Sequence, residues 1–484
     1  MLQSFRLGFA TNSSSAHSII LHSDPKYLGM LSDDGIGALD GYGRDNYTFT
    51  EPKTKLAYMI WAHQRAGRAN MSAHHKINIM KEFPDLITDF NASDFDDIFT
   101  AVQAYDPEGG VPGEILCPDN IPLQNWFEFI INGPVAIHGW DDNGEPSFEK
   151  VNEKDNGHAA FGYSMRWKFD GQAIIGYSPD DGTKFRWSKA PYSKSTTPEL
   201  VDLKITDYCG YGCKFCYQGS TKEGQHAPIK RLKSIIETLG QNGTFELAIG
   251  GGEPVDHPDF GQVFHIARDN KITVNFTSYG VDWASDKDHP VVKAMKDTRW
   301  SGGIGVSVHT KRDIEKVTRL SNALSGAGIW GAQVMAQTVI GATSVNATFA
   351  ILEDCIKEDR PLLLLGYKTT GRGKTFAQRK RTEDEVKKLL KRAKAHIEAP
   401  LEEDRWGYTS KRKFTLSVDT AFLDVYGHLL DEMNVPVQLR TSPEGKFSMY
   451  IDGVENTAAP SSYCDTDQIV EWDPSKLKDI FAQF

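Results

Sequence analysis

Cys209, Cys213 and Cys216 stand four and three residues apart in the stretch Cys209-Gly210-Tyr211-Gly212-Cys213-Lys214-Phe215-Cys216. Half of the chain's six cysteines fall within these eight positions. Thiolates are soft ligands that favour iron–sulfur clusters, zinc and copper(I). A structural zinc ion wants four protein ligands, and no fourth Cys or His follows at a short interval. Three thiolates suit a four-iron cluster that keeps one iron open to a small molecule. A second stretch, Gly251-Gly252-Glu253-Pro254, follows about one helix and one strand later. Glycine admits close backbone approach and proline fixes a turn. Taken alone, this tetrapeptide reads equally well as the turn that ends a strand.

Together and in this order, the two stretches resemble the radical S-adenosylmethionine (SAM) superfamily. Its cluster loop carries three cysteines with an aromatic residue just before the last, here Phe215. Its second motif resembles Gly251–Pro254. The resemblance implies that Cys209, Cys213 and Cys216 hold a [4Fe-4S] cluster and that SAM binds the open iron. It implies that Phe215 packs beside the cluster near the adenine, that Gly251 and Gly252 let the backbone approach SAM, and that Glu253 receives the methionine amino group. Pro254 fixes the turn. Thr277-Ser278-Tyr279-Gly280 occupies the place of the family's third-strand motif in a less common form. Ser278, Ser307 on the fourth strand and Tyr367 after the sixth complete the implied SAM contacts. Thr and Ser serve turns and strand ladders just as well. The implied activity is reductive cleavage of SAM to a 5′-deoxyadenosyl radical that abstracts hydrogen from a substrate. An electron donor such as flavodoxin or ferredoxin is implied with it.

The elements around these residues read as alternating strand and helix over residues 199–400. Val201–Thr206 feeds the cysteine loop, and 228–240 is the next helix. Phe245–Ile249 ends at the double glycine. Helix 259–269, strand 272–277, helix 289–297, strand 303–309 and helix 312–326 follow. A strand within 329–340, helix 346–358, the apolar strand 361–366 and the charged helix 382–396 close the series. Six β/α units imply a parallel sheet covered by helices. Bending into a partial (β/α)6 barrel is what the resemblance adds. Ligands of parallel α/β folds collect at the carboxyl ends of strands, and both motifs fall there.

At 484 residues the chain has room for two or three domains. Residues 1–195 read as an N-terminal α+β domain, with a polar stretch at 10–18, helices at 54–69 and 76–90, and strands and hairpins from Trp126 onward. Turns at 141–144 and 180–182 separate β-rich runs such as Ala173–Tyr177. Residues 196–400 read as the barrel, and 401–484 as a small C-terminal α+β extension. Strands there fall at 414–418 and 447–453, and a short helix at 475–484. Residues 445–464 resemble a shortened form of the cysteine-rich, SPASM/twitch-like extension of many peptide-modifying radical SAM enzymes. Only Cys464 of its cysteines remains, so no auxiliary cluster is expected. The loop Gly371-Arg372-Gly373-Lys374 reads as a flexible basic loop, solvated or holding a substrate anion.

The net charge is −11. Residues 1–195 carry 17 Lys/Arg against 26 Asp/Glu, which argues against phosphate-backbone binding by that region. No apolar run approaches the ~20 residues of a membrane helix, and no signal peptide is expected. Cysteine usage suits a reducing cytoplasm. The histidines, adjacent His74 and His75 included, form no metal-binding spacing. Three functions are compatible with these readings. The first is a radical SAM enzyme acting on a peptide or protein side chain. The second is rearrangement or modification of a nucleobase or nucleotide, as in a phage-type DNA modification pathway. The third is a non-catalytic iron–sulfur or SAM-binding sensor.

Overall fold

A computed structural model gives the fold for residues 2–6, 47–49, 120–132, 136–139, 147–150, 159–160, 166–188, 194–376, 383–399, 414–435 and 444–484. The polar stretch 10–18, the helices expected at 54–69 and 76–90, the turn 141–144, His74, His75 and Cys117 lie outside these residues. Two compact units are present, one built mainly from residues 24–178 and the other mainly from 193–484.

In the larger unit, strand and helix alternate as the apolar periods demand. The series is Leu200–Thr206 (β1), Ile229–Gln241 (α1), Glu246–Gly251 (β2), Phe260–Asp269 (α2), Thr273–Ser278 (β3) and Pro290–Asp297 (α3). It continues with Gly302–Ser307 (β4), Ile314–Gly326 (α4), Ala332–Val339 (β5), Val345–Lys357 (α5), Leu362–Leu365 (β6) and Glu383–Glu398 (α6). Strands such as β1 are buried along their whole length, as a sheet covered on both faces requires. Each helix turns a stripe inward, Leu232, Ile235, Ile236 and Leu239 in α1 for example. Helix starts carry their own signals. Ser344 caps α5 through the amide of Ala347, and His289 precedes Pro290 at the start of α3.

The sheet extends beyond six strands. Leu416–Val418 (β7), Thr420–Tyr426 (α7), His428–Glu432 (α8), Ser448–Asp452 (β8), Thr457–Ala459 (β9), Val470–Glu471 (β10) and Leu477–Gln483 (α9) follow. The order is β7-β6-β5-β4-β3-β2-β1-β8-β9-β10. Strands β7 through β8 in that order are parallel, while β9 and β10 are antiparallel. Among the described residues no pairing joins the edge strands β7 and β10, so the sheet is open. The strands expected in the C-terminal region therefore belong to the same sheet as the cysteine-bearing series. Lys204 of β1 forms an ion pair with Asp452 of β8 (2.8 Å), which fixes that junction, and a second with half-buried Asp207 (2.6 Å).

The amino ends of the strands are closed by buried polar groups. Arg6 pairs with Glu246, Asn275 donates to Glu246 (3.0 Å), and the amide of Gly303 donates to Asn275 (2.9 Å). Lys184 and Ser195 both donate to Glu199, at 2.7 and 2.9 Å. Paired in this way, the charges are tolerated away from water.

The smaller unit corrects one expectation. Residues after Trp126 were expected to be strands and hairpins, yet Leu123–Asn132 is a helix. Its aromatic and β-branched run suggests a strand, but Trp126, Phe127, Phe129, Ile130 and Ile131 are all buried. Spacings of three and four put them on the inward side of a helix. Trp126 and Phe129 meet Trp167 edge-on. Beyond the helix, Arg166–Asp170 pairs antiparallel with Ala173–Tyr177. Tyr47–Phe49, Ala136–Gly139, Ser147–Lys150 and Ala159–Ala160 form an antiparallel sheet in that order.

Candidate active site

One cavity opens at the carboxyl ends of β2 through β6. Cys209, Cys213, Phe215, Cys216, Glu253, Ser307 and Tyr367 all line it, with Gly251 and Gly252 at its floor. The three cysteines are free thiols, each half-buried. Burial pushes the thiols of Cys209 and Cys213 up. Such thiols become thiolates only beside a compensating positive charge. Among the described residues, no three His, Cys, Asp or Glu converge as ligands of one ion must. Three thiols on one cavity wall are the soft donors that an iron–sulfur cluster takes. The donor set thus fits the iron–sulfur group. Ser220 Oγ and His309 Nδ1, both on side chains lining the cavity, are buried without hydrogen-bond partners, so polar demand there is unmet.

The double glycine is also demanded by the packing of the protein's own backbone. A Cβ on Gly251, at φ +117°, would lie 2.3 Å from the carbonyl oxygen of Thr206. A Cβ on Gly252 would lie 1.9 Å from that of Tyr208. The same carbonyls accept from the amides of Gly252 (2.7 Å) and Glu253 (2.9 Å). The end of β2 is thereby laced to the chain entering the cysteine loop. Pro254 opens the short turn Pro254–Asp256 and is buried.

Glu253 is 4% exposed. Its two oxygens accept from Ser278 Oγ (2.7 Å) and the amide of Tyr279 (2.9 Å). Burial nonetheless pushes its carboxyl up to about 7, so the site favours a cation next to it. Ser278 does not line the cavity. It points the other way, to Glu253 and to the carbonyl of Gly280 (2.6 Å), while Thr277 and Tyr279 line the cavity, as strand alternation requires.

The loop at 371–374 is structured and tied to the cysteine loop. Arg372 donates from its side chain to the carbonyls of Cys213 (3.0 Å), Gly219 (3.0 Å) and Ser220 (2.8 Å), and from its amide to Cys216 (2.9 Å). Thr370 reaches the carbonyl of Tyr217 (3.1 Å), and Tyr367 that of Gly373 (2.9 Å). Arg372 is thus a brace. Gly366 is occupied likewise, its amide donating to Asp419 (2.7 Å), which also caps α7.

Several lining residues were not among the expected site residues. Tyr211, Tyr217, Ser220, Tyr279, His309, Gln337 and Lys368 join the wall. His309 stacks on Tyr279 and meets Phe215 edge-on, and Lys316 lies 3.6 Å over the Tyr279 ring. Burial holds His309 below the usual histidine range, hence neutral. Single aromatic or polar residues on separate strands have no spacing to betray them. Tyr279 alone was accessible, by alternation from Thr277.

A parallel sheet bearing a three-thiol loop and an acidic strand end defines a class of cofactor-binding α/β domain. Residues 203–322 match the Radical SAM superfamily, and the chain thus carries a radical SAM domain, whose cofactors are a [4Fe-4S] cluster and SAM. The mycofactocin maturase MftC of Mycobacterium tuberculosis is 31% identical over 85 residues, covering 17% of this chain and 22% of that protein. The S-adenosylmethionine-dependent nucleotide dehydratase of Selenomonas ruminantium is 31% identical over 81 residues, covering 16% and 29%. The chain thus spans less than a third of the length of either relative. Among solved structures, Streptococcus suis SuiB bound to S-adenosylmethionine aligns with a TM-score of 0.48 and 13% identity, over 66% of this chain and 87% of that one. At that level the fold is read from the strand order rather than from the likeness. No described helix is long and apolar enough to cross a membrane.

Proposed function

We propose that this chain is a radical SAM enzyme that modifies a peptide or protein side chain. The observation that carries the enzyme reading is the convergence of Cys209, Cys213, Cys216 and Glu253 on one cavity at the strand ends. When bound, the cluster would supply the electron for reductive cleavage of SAM and, with it, the hydrogen-abstracting chemistry. The chain's own residues bind, orient and shield. The three cysteines hold the cluster, and Arg372 holds their loop. Glu253, fixed by Ser278 and the Tyr279 amide, accepts the methionine ammonium. Ser307 and Tyr367 line the space left for SAM, and Phe215 walls it. The aromatic wall of Phe215, Tyr279 and His309 excludes water.

The peptide reading is supported by the likeness of residues 445–464 to the extension of peptide-modifying enzymes. Modification of a nucleotide is the second reading, favoured by the match to a nucleotide dehydratase. A domain boundary near 195, the lack of an auxiliary cluster, a flavodoxin or ferredoxin donor and a cytoplasmic setting belong to the same proposal. Anaerobic incubation of the cluster-loaded protein with SAM and dithionite should yield 5′-deoxyadenosine. A loaded protein that forms none overturns the enzyme reading in favour of a sensor.

A further inference from the structure

Lys368, just after β6, is 8% exposed and lines the cavity. Its Nζ lies 4.4 Å from the ring centre of Tyr217 and 4.9 Å from that of Tyr463. Among the described residues it has neither a hydrogen-bond acceptor nor a carboxylate partner. Its position is fixed from several sides. Gly373 passes so close that a Cβ there would lie 2.4 Å from the Lys368 carbonyl oxygen. Tyr463 is held through its hydroxyl by Thr420 and Asp424 (both 3.3 Å). Tyr217 follows Cys216 directly, so the ammonium sits beside the cysteine loop.

Two ring faces do not meet the demands of this group. Cation–π contacts offer an ammonium no acceptor for its N–H groups. None of its three N–H donors has an acceptor. The other side chain of fixed charge lining this cavity, Glu253, is already engaged by Ser278 and the Tyr279 amide.

We propose that Lys368 is an anion subsite that binds a carboxylate of the substrate next to the cysteine loop. One carboxylate offsets this one cation. A phosphate dianion would bring excess negative charge into a cavity that already holds Glu253 and the cysteines, and among the described residues that line it Lys368 is the one Lys or Arg. The subsite rests on the reading of this cavity as the place where substrate meets SAM. On the peptide reading, its ligand is an acidic side chain or a free carboxyl terminus.

The test uses the full-length protein with 13Cε-labelled lysine, and sodium acetate, inorganic phosphate and SAM as probes. Lys368→Arg assigns the Lys368 resonance while preserving charge. Acetate should shift this resonance at concentrations roughly tenfold below those that move exposed lysines. Lys368→Met, checked for folding by circular dichroism, should lose acetate binding and keep its SAM affinity in the cluster-loaded protein. Three results overturn the subsite: no acetate shift beyond that of exposed lysines, phosphate bound in preference to acetate, or SAM affinity lost in Lys368→Met. The last would assign Lys368 to the carboxylate of SAM itself. The acetate titration needs no turnover, so a protein that binds acetate here but fails to cleave SAM refutes the proposed function and not the subsite.

Discussion

Replacing Glu253 by Gln removes a charge with almost no change of shape, and its surroundings set the expected effect. In an unfolded chain the carboxyl releases its proton near the ordinary glutamate value of 4.5, whereas burial in the fold pushes it up to about 7. Between these values the folded protein binds a proton that the unfolded chain has lost. The contribution to stability is full below that window and falls as pH rises through it. At ~1.4 kcal/mol per pH unit, the fall is on the order of 3 kcal/mol. Urea unfolding of the cofactor-free protein from pH 4.5 to 8 should show it, and Glu253→Gln should lose that portion. Identical pH slopes in the two proteins would refute the placement of a desolvated carboxyl at 253. SAM binding should run the opposite way, because only the carboxylate accepts an ammonium strongly. Affinity in the loaded protein should weaken about tenfold from pH 8 to pH 6. In Glu253→Gln it should be flat with pH and weaker by about 1.5–3 kcal/mol.

Loaded wild-type protein should hold about four irons, and Cys209→Ala, Cys213→Ala or Cys216→Ala should each abolish the cluster's absorption; normal iron content in any of them removes that cysteine from the ligand set. Arg372→Met should speed amide hydrogen exchange across 209–221 by roughly 10–100-fold, the equivalent of losing about 1.5–3 kcal/mol of charged hydrogen bonding. Lys at 372 should restore little, because it cannot reproduce the fork, and unchanged exchange in the Met variant would show that the brace is idle. Gly252→Ala should destabilise the protein by about 1–3 kcal/mol, as overpacking does, since its Cβ would sit 1.9 Å from a carbonyl oxygen. A wild-type denaturation midpoint would disprove that packing.

The strand and helix series was legible because each element carries its own period. Leu362–Leu365 and Ser448–Asp452, for example, lie inside the expected spans. The pairing of β8 with β1 was not, because parallel partners so far apart leave no local mark. Lys204 and Asp452, which lock that pairing, are 248 positions apart. The helix Leu123–Asn132 was misread because propensity was weighed over period. In the site, the cysteines and the Gly-Gly-Glu-Pro were legible because their spacing is local. The inward side of β3 was misassigned at Ser278, although period-two alternation from Thr277 would have corrected it. Lys368 and His309 are solitary residues, and only the fold shows what stands beside them. The glycines answer to a further demand that the sequence did not show, since backbone atoms of residues 206 and 208 crowd them.

The pairing of β8 with β1 also orders events during synthesis. Strand β1 leads into the cysteine loop and has β2 on one edge and β8 on the other. The β2 edge can form as soon as α1 and β2 have emerged, whereas the β8 edge waits for more than two hundred further residues. Until then β1 exposes an unpaired row of amides and carbonyls, the kind of edge on which nascent chains aggregate. Contacts of such high sequence separation also form slowly. The strand that presents the thiols is thus among the last to be enclosed, and iron delivered before that point would meet a loop framed on one side only.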